Sequence, residues 1–484
     1  MEEEYEVALK PQAVMIAFPY QGHINPFVHL AIKLASNGFS ITFVHTQYIH
    51  HLISESRQEL DDVFSDFRAS GLDIRYATIS DGFPLDYDRK ANFPEFARSL
   101  FEDFPSRVDE FVGNMFEERR DPSTVRVMVA DTIATWPRFI AEKYDMVNVS
   151  FWTGPALVFA LNCSMDLLAR NGHFPPSGDS REHLIDYIPG VDPIKAKDLI
   201  SHLLEAPTTI AHKILFKVFE DVKKADFVLH NTVQELEPRT LSALSELNPT
   251  YAVGPIGSST KINVSTSLLS EIDCTVWLNS KPPGSVLYVS FGSVARTPGQ
   301  VIKEVAKGLD LSMVHFIWVI REGLVAGEAK IFPIGFEENV KERGLIVPWC
   351  DQTAVLSHPA VGGFLTHCGW NSILESIWAG VPMLCYPVTY DQPTNRKLVV
   401  DDWKVGINLC DDDVAPLDAR HVASKIKILM NRERSVGGLR HTMERLSDTV
   451  RRALDEDGSS TKNFDRFLKD FKYKVKRHRS KNKF

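Results

Sequence analysis

Short apolar, β-branched runs alternate with amphipathic helical patterns along the chain, and that rhythm leaves few folds open. A Val/Ile-rich strand, a helix and a second such strand build a parallel sheet covered on both faces. The first repeat reads as a strand over Ala13–Phe18, a loop over Pro19–Ile24 and then a helix. Asn25 can cap that helix, Pro26 suits its first position, and Phe27, Leu30, Ala31 and Leu34 form its apolar face. Gly38 ends it and Ile41–Val44 begins the next strand. Val125–Ala130 and Val147–Phe151 are further strands of the first half; Val286–Phe291, Phe316–Ile320, Leu345–Trp349, Gly363–His367 and Met383–Tyr386 are those of the second. The rhythm breaks over Gly254–Ser267, rich in Gly, Ser and Thr, and restarts at Val286.

The expectation is an α/β chain of two Rossmann-like domains, residues 1–253 and 271–460, joined by a linker over 254–270. A ligand belongs in a central cleft at the carboxyl ends of the two sets of strands. Residues 461–484 are left as a helical segment, Thr461–Phe471, and a basic tail, Lys472–Phe484, read as a solvated, partly disordered end. At 484 residues the chain is too long for a single core, and a net charge of −9 argues against nucleic acid as a partner. The N-terminus lacks the pattern of a signal peptide, and no apolar run approaches the roughly 18 residues of a membrane span. Six widely spaced cysteines form no disulfide framework, which favours a reduced, cytoplasmic setting.

Chemistry concentrates between Trp349 and Gln392. Strand Gly363–His367 enters the turn Cys368-Gly369-Trp370, and a helix follows with Ile373, Leu374, Ile377 and Trp378 on its buried side. Its N-terminus at Asn371–Ser372 offers free N–H groups and a positive dipole end, a seat for a diphosphate. Gly369 lets backbone approach closely, and His367 can add a hydrogen bond or partial charge. Ser372 and Glu375 also have the spacing of a capping box, so both could serve only the helix. Glu375 could instead accept two ribose hydroxyls. Trp349 is either core filler or a face for a planar base, with Gln352 beside it. Asp391 and Gln392 end a strand where sugar hydroxyls could be bound, although Asp391 alone would pass for a helix cap. His358 is read as structural. A zinc site from Cys350, His358, His367, Cys368 and Cys385 is disfavoured because no close Cys pair exists.

The stretch resembles the signature box of plant family 1 UDP-glycosyltransferases. The match runs through Trp349, Gln352, His358, Phe364, Thr366-His367-Cys368-Gly369-Trp370-Asn371-Ser372, Glu375, Gly380-Val381-Pro382 and Asp391-Gln392. It extends to Gln21-Gly22-His23-Ile24-Asn25-Pro26 and Phe291-Gly292-Ser293. The resemblance implies a GT-B fold with the acceptor in the first half and the UDP-sugar in the second, and metal-free transfer with inversion. It implies that Trp349 stacks uracil beside Gln352 and the Cys350 backbone, and that Glu375 holds ribose. Ser293, His367, Asn371 and Ser372, with Gly369, would bind diphosphate; Trp370, Asp391 and Gln392 would bind the sugar. Gln392 matches the glucose-preferring form of the box, making UDP-glucose the expected co-substrate. Phe151-Trp152-Thr153 resembles a segment whose Thr reaches the donor sugar. Tyr20 and Tyr390 flank these motifs and could line the acceptor pocket, with Tyr390 also counted at the donor site.

His23 follows the first strand. An imidazole there can take the proton of an acceptor hydroxyl; the residues alone allow equally that it only orders the loop. Asp131, closing Val127-Met128-Val129-Ala130-Asp131, either caps the next helix or orients such a base. The resemblance favours the base and its partner. The expected protein is a monomeric, metal-free UDP-sugar transferase acting on a hydroxyl of a small lipophilic molecule. A catalytically inactive UDP-sugar or aglycone binding protein is the alternative. Hydrolase and dehydrogenase readings find neither G-x-S-x-G nor G-x-G-x-x-G.

Overall fold

A computed structural model describes residues 10–57, 62–117, 124–174, 181–205, 209–258, 266–325, 331–411, 417–431 and 438–481. Part of the expected linker and the last three residues of the basic tail lie outside the described residues. The chain divides into two compact units. One comprises Met1–Asp166, Ala206–Leu269 and Leu454–Phe484; the other Leu167–Glu205 and Ser270–Ala453. Residues 167–205, assigned from sequence to the first domain, therefore belong with the second unit.

In the first unit the chain lays down β1 (Lys10–Ile16), β2 (Ser40–Thr46), β3 (Ile74–Ile79), β4 (Thr124–Asp131) and β5 (Val147–Trp152). In the second unit β6 (Leu184–Ile185) and β7 (Ile194–Lys195) form a short antiparallel pair. Back in the first unit, β8 (Phe227–His230) and β9 (Thr250–Ala252) complete a parallel sheet ordered β3-β2-β1-β4-β5-β8-β9. β1 and β4 pair in register from Lys10 opposite Thr124 to Ile16 opposite Ala130. The stretches Ala13–Ile16 of β1 and Val127–Ala130 of β4 are enclosed on both faces and apolar at every position, which is why they read as continuous runs. One face packs on Phe27, Leu30 and Leu34, the other on Leu100, Phe104 and Val108.

The C-terminal helix runs over Ser459–Lys481, longer than expected and continuous through most of the basic segment. Phe464, Phe467, Phe471 and Val475, at helical spacing, are buried in the first unit's core, and that burial extends the helix past Phe471.

The second unit's main sheet is built from β10 (Val286–Ser290), β11 (His315–Val319), β12 (Gly344–Val347), β13 (Val361–Thr366), β14 (Met383–Cys385) and β15 (Gly406–Asn408). All are parallel, in the order β12-β11-β10-β13-β14-β15. Its core gathers Phe316, Trp318, Leu365 and Leu384 around Val305, Leu309 and Ile426. No described helix is long and apolar enough to cross a membrane.

Two helix starts differ from the sequence reading. The first helix spans Gln21–Ala35, so Pro26 lies inside it and Asn25 does not cap it. The Tyr20 carbonyl accepts from the His23 and Ile24 N–H groups at 2.9 and 3.0 Å. Gln21 Nε2 donates to Asn25 Oδ1 at 2.5 Å, closing a turn that Pro26 continues without an N–H of its own. The second-unit helix begins at Trp370 with Gly369 as its cap, so Ser372 and Glu375 do not form a capping box.

Candidate active site

Each sheet has the strand order that opens a crevice where consecutive connections diverge, between β1 and β4 in one and between β10 and β13 in the other. His23 and Asp131 follow or end β1 and β4, and Ser293 and His367 follow β10 and β13; the remaining candidates lie beyond the carboxyl ends of neighbouring strands, Thr153 after β5, Trp349 to Gln352 after β12 and Tyr390 to Gln392 after β14.

In the first unit His23 stands on the first turn of the Gln21–Ala35 helix rather than in a loop. Its Nδ1 lies 2.7 Å from Asp131 Oδ2 and 3.1 Å from Thr153 Oγ1. Asp131 is the last residue of β4 and only 1% exposed, whereas the His23 side chain keeps 24% of its surface open. The carboxylate does not cap a helix. It accepts from the Phe18 N–H at 3.4 Å and the Ile133 N–H at 3.2 Å. A carboxylate on Nδ1 fixes that nitrogen as the protonated one, leaving Nε2 with the lone pair. Phe18 packs edge-on against the imidazole, ring centroids 5.7 Å apart. Beside Asp131 a small pocket is walled by Phe18, Pro19, Leu100, Phe101, Phe104 and Trp136.

In the second unit Gly292 follows β10 at φ +75°, and the His367 ring lies against it and against Gly369. A Cβ on Gly292 would stand 2.3 Å from His367 Nε2. Burial, reinforced by Arg321, lowers His367 to about 4. It is therefore neutral at pH 7 and offers hydrogen bonding, not the partial charge allowed from sequence. Ser293, half-buried, follows Gly292, and the orphan N–H groups at the start of helix Trp370–Ala379 complete this corner.

Trp349 lies beyond the end of β12 and is half-buried, so it is not core filler. Cys350 is buried, its thiol 3.7 Å from the Tyr288 hydroxyl. The Gln352 amide is engaged at both ends. Its Oε1 accepts from Tyr288 OH at 3.3 Å, and its Nε2 donates to Ser372 Oγ at 2.8 Å and Glu375 Oε2 at 2.6 Å. Burial pushes the Glu375 carboxyl up to about 7, against the pull of the Gln352 hydrogen bond. Asn371 is half-buried on the same first turn.

Trp370 is buried, its indole tilted against Trp403 with centroids 6.1 Å apart, so its backbone is what it can present. Asp391 Oδ2 accepts from Asn395 Nδ2 at 2.7 Å. Gln392 is 4% exposed and its Oε1 accepts from the Val388 and Thr389 N–H groups at 2.8 and 2.9 Å, leaving the amide N–H for a ligand. Tyr390, between the two motifs, is 49% exposed and left-handed at φ +62°. His358 bonds Asn279 Oδ1 at 3.0 Å and accepts from the Ala360 N–H at 3.1 Å, a structural placement. Among the described residues no three His, Cys, Asp or Glu side chains cluster as metal ligands.

Sequence reading missed Arg321. It is 5% exposed and donates through Nε to the Gly292 carbonyl at 2.8 Å, and through its guanidinium nitrogens to the carbonyls of Ala295 and Glu322. It pins the turn carrying Ser293. A charged residue directly after the apolar run Phe316–Ile320 was the available signal.

Comparison with known proteins shows what the chain is similar to in sequence and fold. The family model for UDP-glucoronosyl and UDP-glucosyl transferases matches residues 199–434, and that for the glycosyltransferase N-terminal domain matches residues 10–173. UDP-glycosyltransferase 86A1 of Arabidopsis thaliana is 51% identical over 474 residues, spanning 96% of this chain and 95% of its own. The 7-deoxyloganetin glucosyltransferase of Gardenia jasminoides is 36% identical, spanning 95% and 97%. Among solved structures, Os79 from O. sativa in complex with UDP superposes with a TM-score of 0.80 at 29% identity, covering 96% of this chain and all of that one. A UDP-glucose: anthocyanidin 3-O-glucosyltransferase in complex with UDP also gives 0.80, at 26% identity and 96% and 99% coverage.

Proposed function

The chain belongs to the plant family 1 UDP-glycosyltransferases, enzymes of GT-B fold, and on that premise we propose that it moves glucose from UDP-glucose to a hydroxyl of a small lipophilic acceptor with inversion at the sugar. The observation that carries the mechanism is the His23 Nδ1–Asp131 Oδ2 contact of 2.7 Å at the carboxyl end of β4. Nε2 of His23 takes the acceptor proton as its oxygen attacks the sugar C1, and UDP departs as the C1–O bond breaks. Asp131 holds the tautomer and stabilises the imidazolium that forms. Thr153, on His23 Nδ1, steadies the ring and is assigned to the donor sugar.

The apolar wall of Phe18, Leu100, Phe101, Phe104 and Trp136 supports a lipophilic acceptor, and the glucosyltransferase names of several relatives support glucose. Ser293, His367, Gly369, Asn371 and Ser372 are assigned to the diphosphate, Trp349, Cys350, Gln352 and Glu375 to the nucleoside, and Trp370, Tyr390, Asp391 and Gln392 to the sugar. No step in this scheme calls for a metal or other cofactor, and we place the enzyme in the cytoplasm as a monomer. Nothing in the comparisons favours an inactive binding protein.

The reaction is tested by incubating purified protein with UDP-glucose and phenolic and terpenoid alcohols. The expected result is UDP release matched by a hexose mass gain in one or more acceptors; UDP-glucose bound without transfer to any of them would favour the binding protein.

Glu375 adds a pH signature. The carboxylate, not the carboxylic acid, accepts two ribose hydroxyls, and the free group titrates near 7. UDP-glucose affinity measured by calorimetry should fall about tenfold from pH 8 to pH 6, and Glu375→Gln should flatten that slope. The sign for folding is opposite: a carboxyl raised from 4.5 to about 7 loses the free protein stability as pH rises through that window.

A further inference from the structure

Residues 196–204, which precede the second half of the chain by many elements, are tied at three points to the corner assigned to the donor sugar. The Asp198 carboxylate pairs with the Arg396 guanidinium, both nearly buried. The Asp198 carbonyl accepts from Thr394 Oγ1 at 2.7 Å, and the Ser201 N–H donates to the Tyr390 carbonyl at 2.8 Å. These ties bracket Asp391 and Gln392 on both sides. The corner cannot keep its shape by local preference alone: Tyr390 sits at φ +62°, a conformation disfavoured for a bulky side chain. The helix Gln392–Lys397 is only six residues long and passes into a π turn over Leu398–Asp402, so its own ladder fixes little.

We propose that Asp198 and Ser201 are positioning residues for the donor sugar, holding Tyr390-Asp391-Gln392 so that glucose is told from its epimers. The proposal rests on the assignment of Asp391 and Gln392 to the sugar. Arg396 is answered by two carboxylates, Asp198 and Asp401, and the latter is 48% exposed on the helix's own continuation. Of these two carboxylates, Asp198 is the one that links that helix to residues 196–204. The uracil and diphosphate residues hang on β10, β12 and β13 and make none of these three ties; the helix reaches their corner through Asn395 Nδ2, which donates to the Cys368 carbonyl at 2.9 Å, so the larger effect is expected at the sugar end.

Two variants separate the ties. Asp198→Asn removes the charge and keeps the shape. Ser201→Pro removes the N–H given to Tyr390, together with the side-chain hydroxyl, and Ser201→Ala, which removes the hydroxyl alone, is its control; Ile200 at ψ 138° is already compatible with a following proline. Calorimetry with UDP-glucose and with UDP as separate probes, and initial rates with UDP-glucose against UDP-galactose, supply the readout. Folded Asp198→Asn and Ser201→Pro should each weaken UDP-glucose about tenfold while UDP changes less than about twofold, and should compress the glucose-to-galactose ratio. Equal weakening of both probes, or an unchanged donor ratio in these two folded variants, would overturn the proposal. Wild-type protein that binds UDP-glucose no better than UDP and does not discriminate the two sugars would overturn the sugar-site assignment itself, and this proposal with it.

Discussion

Replacing His23 with Ala should lower sugar transfer from UDP-glucose by about 10² to 10⁴-fold at pH 7 while leaving UDP-glucose affinity within about twofold. A neutral alcohol is a poor nucleophile, and in the proposed scheme the imidazole Nε2 takes its proton. The variant also strands Asp131. That carboxylate is 1% exposed and keeps only the Phe18 and Ile133 N–H groups at 3.4 and 3.2 Å. Loss of its charge-assisted partner should cost about 1–3 kcal/mol of stability, seen as a lowered Tm. His23→Asn, whose Nδ2 stands where Nδ1 does and restores a donor to Asp131 but no base, separates the two effects: stability should return in part and activity should not. Recovery of activity in that variant, or loss of UDP-glucose binding in either, would assign His23 to ordering its turn.

Gly292→Ala carries the second large effect, and it acts on the donor. The new methyl would stand 2.3 Å from His367 Nε2 while the backbone stays at φ +75°. The left-handed backbone alone costs an alanine about 1 kcal/mol, and the contact must also push the buried imidazole or the Gly292 carbonyl that Arg321 holds. Either movement displaces the groups assigned to the diphosphate, so UDP and UDP-glucose affinity should both fall tenfold or more in order of magnitude, as calorimetry would read. Gly335→Ala is the control. Its φ is +81° in the same unit and nothing lies within 4 Å of the added Cβ. It should share the backbone cost and leave donor affinity unchanged; an equal loss in both variants would trace the effect to folding.

The elements that carry these residues were readable because of how they are buried. β1, β4, β10 and β13 each have a stretch enclosed on both faces, and that stretch shows as an apolar run followed by a site residue or its turn: His23, Asp131, Ser293 and His367. What escaped depends on distant partners. The three-residue strands β9 (Thr-Tyr-Ala) and β15 (Gly-Ile-Asn) carry polar or small residues at both ends, unlike the equally short but wholly apolar β14 that the sequence reading found. The helix before Pro26 forms because the Tyr20 carbonyl gathers two N–H groups and Gln21 reaches Asn25, which residue-by-residue preference does not encode. Ser372 and Glu375 have the spacing of a cap, yet both answer Gln352 from another element. Nothing local in residues 167–205 tells that they join the second unit; their ties to Tyr390, Thr394 and Arg396 span nearly two hundred positions.

The most direct test of the mechanism is the anomeric configuration of the transferred glucose, read by proton NMR of the product formed from UDP-glucose. The sugar is α-linked to UDP, and a single displacement with His23 as base places the acceptor oxygen on the opposite face, so the product should be the β-glucoside. An α-glucoside would require a second displacement or a front-side route, and would contradict the role given to His23 and Asp131.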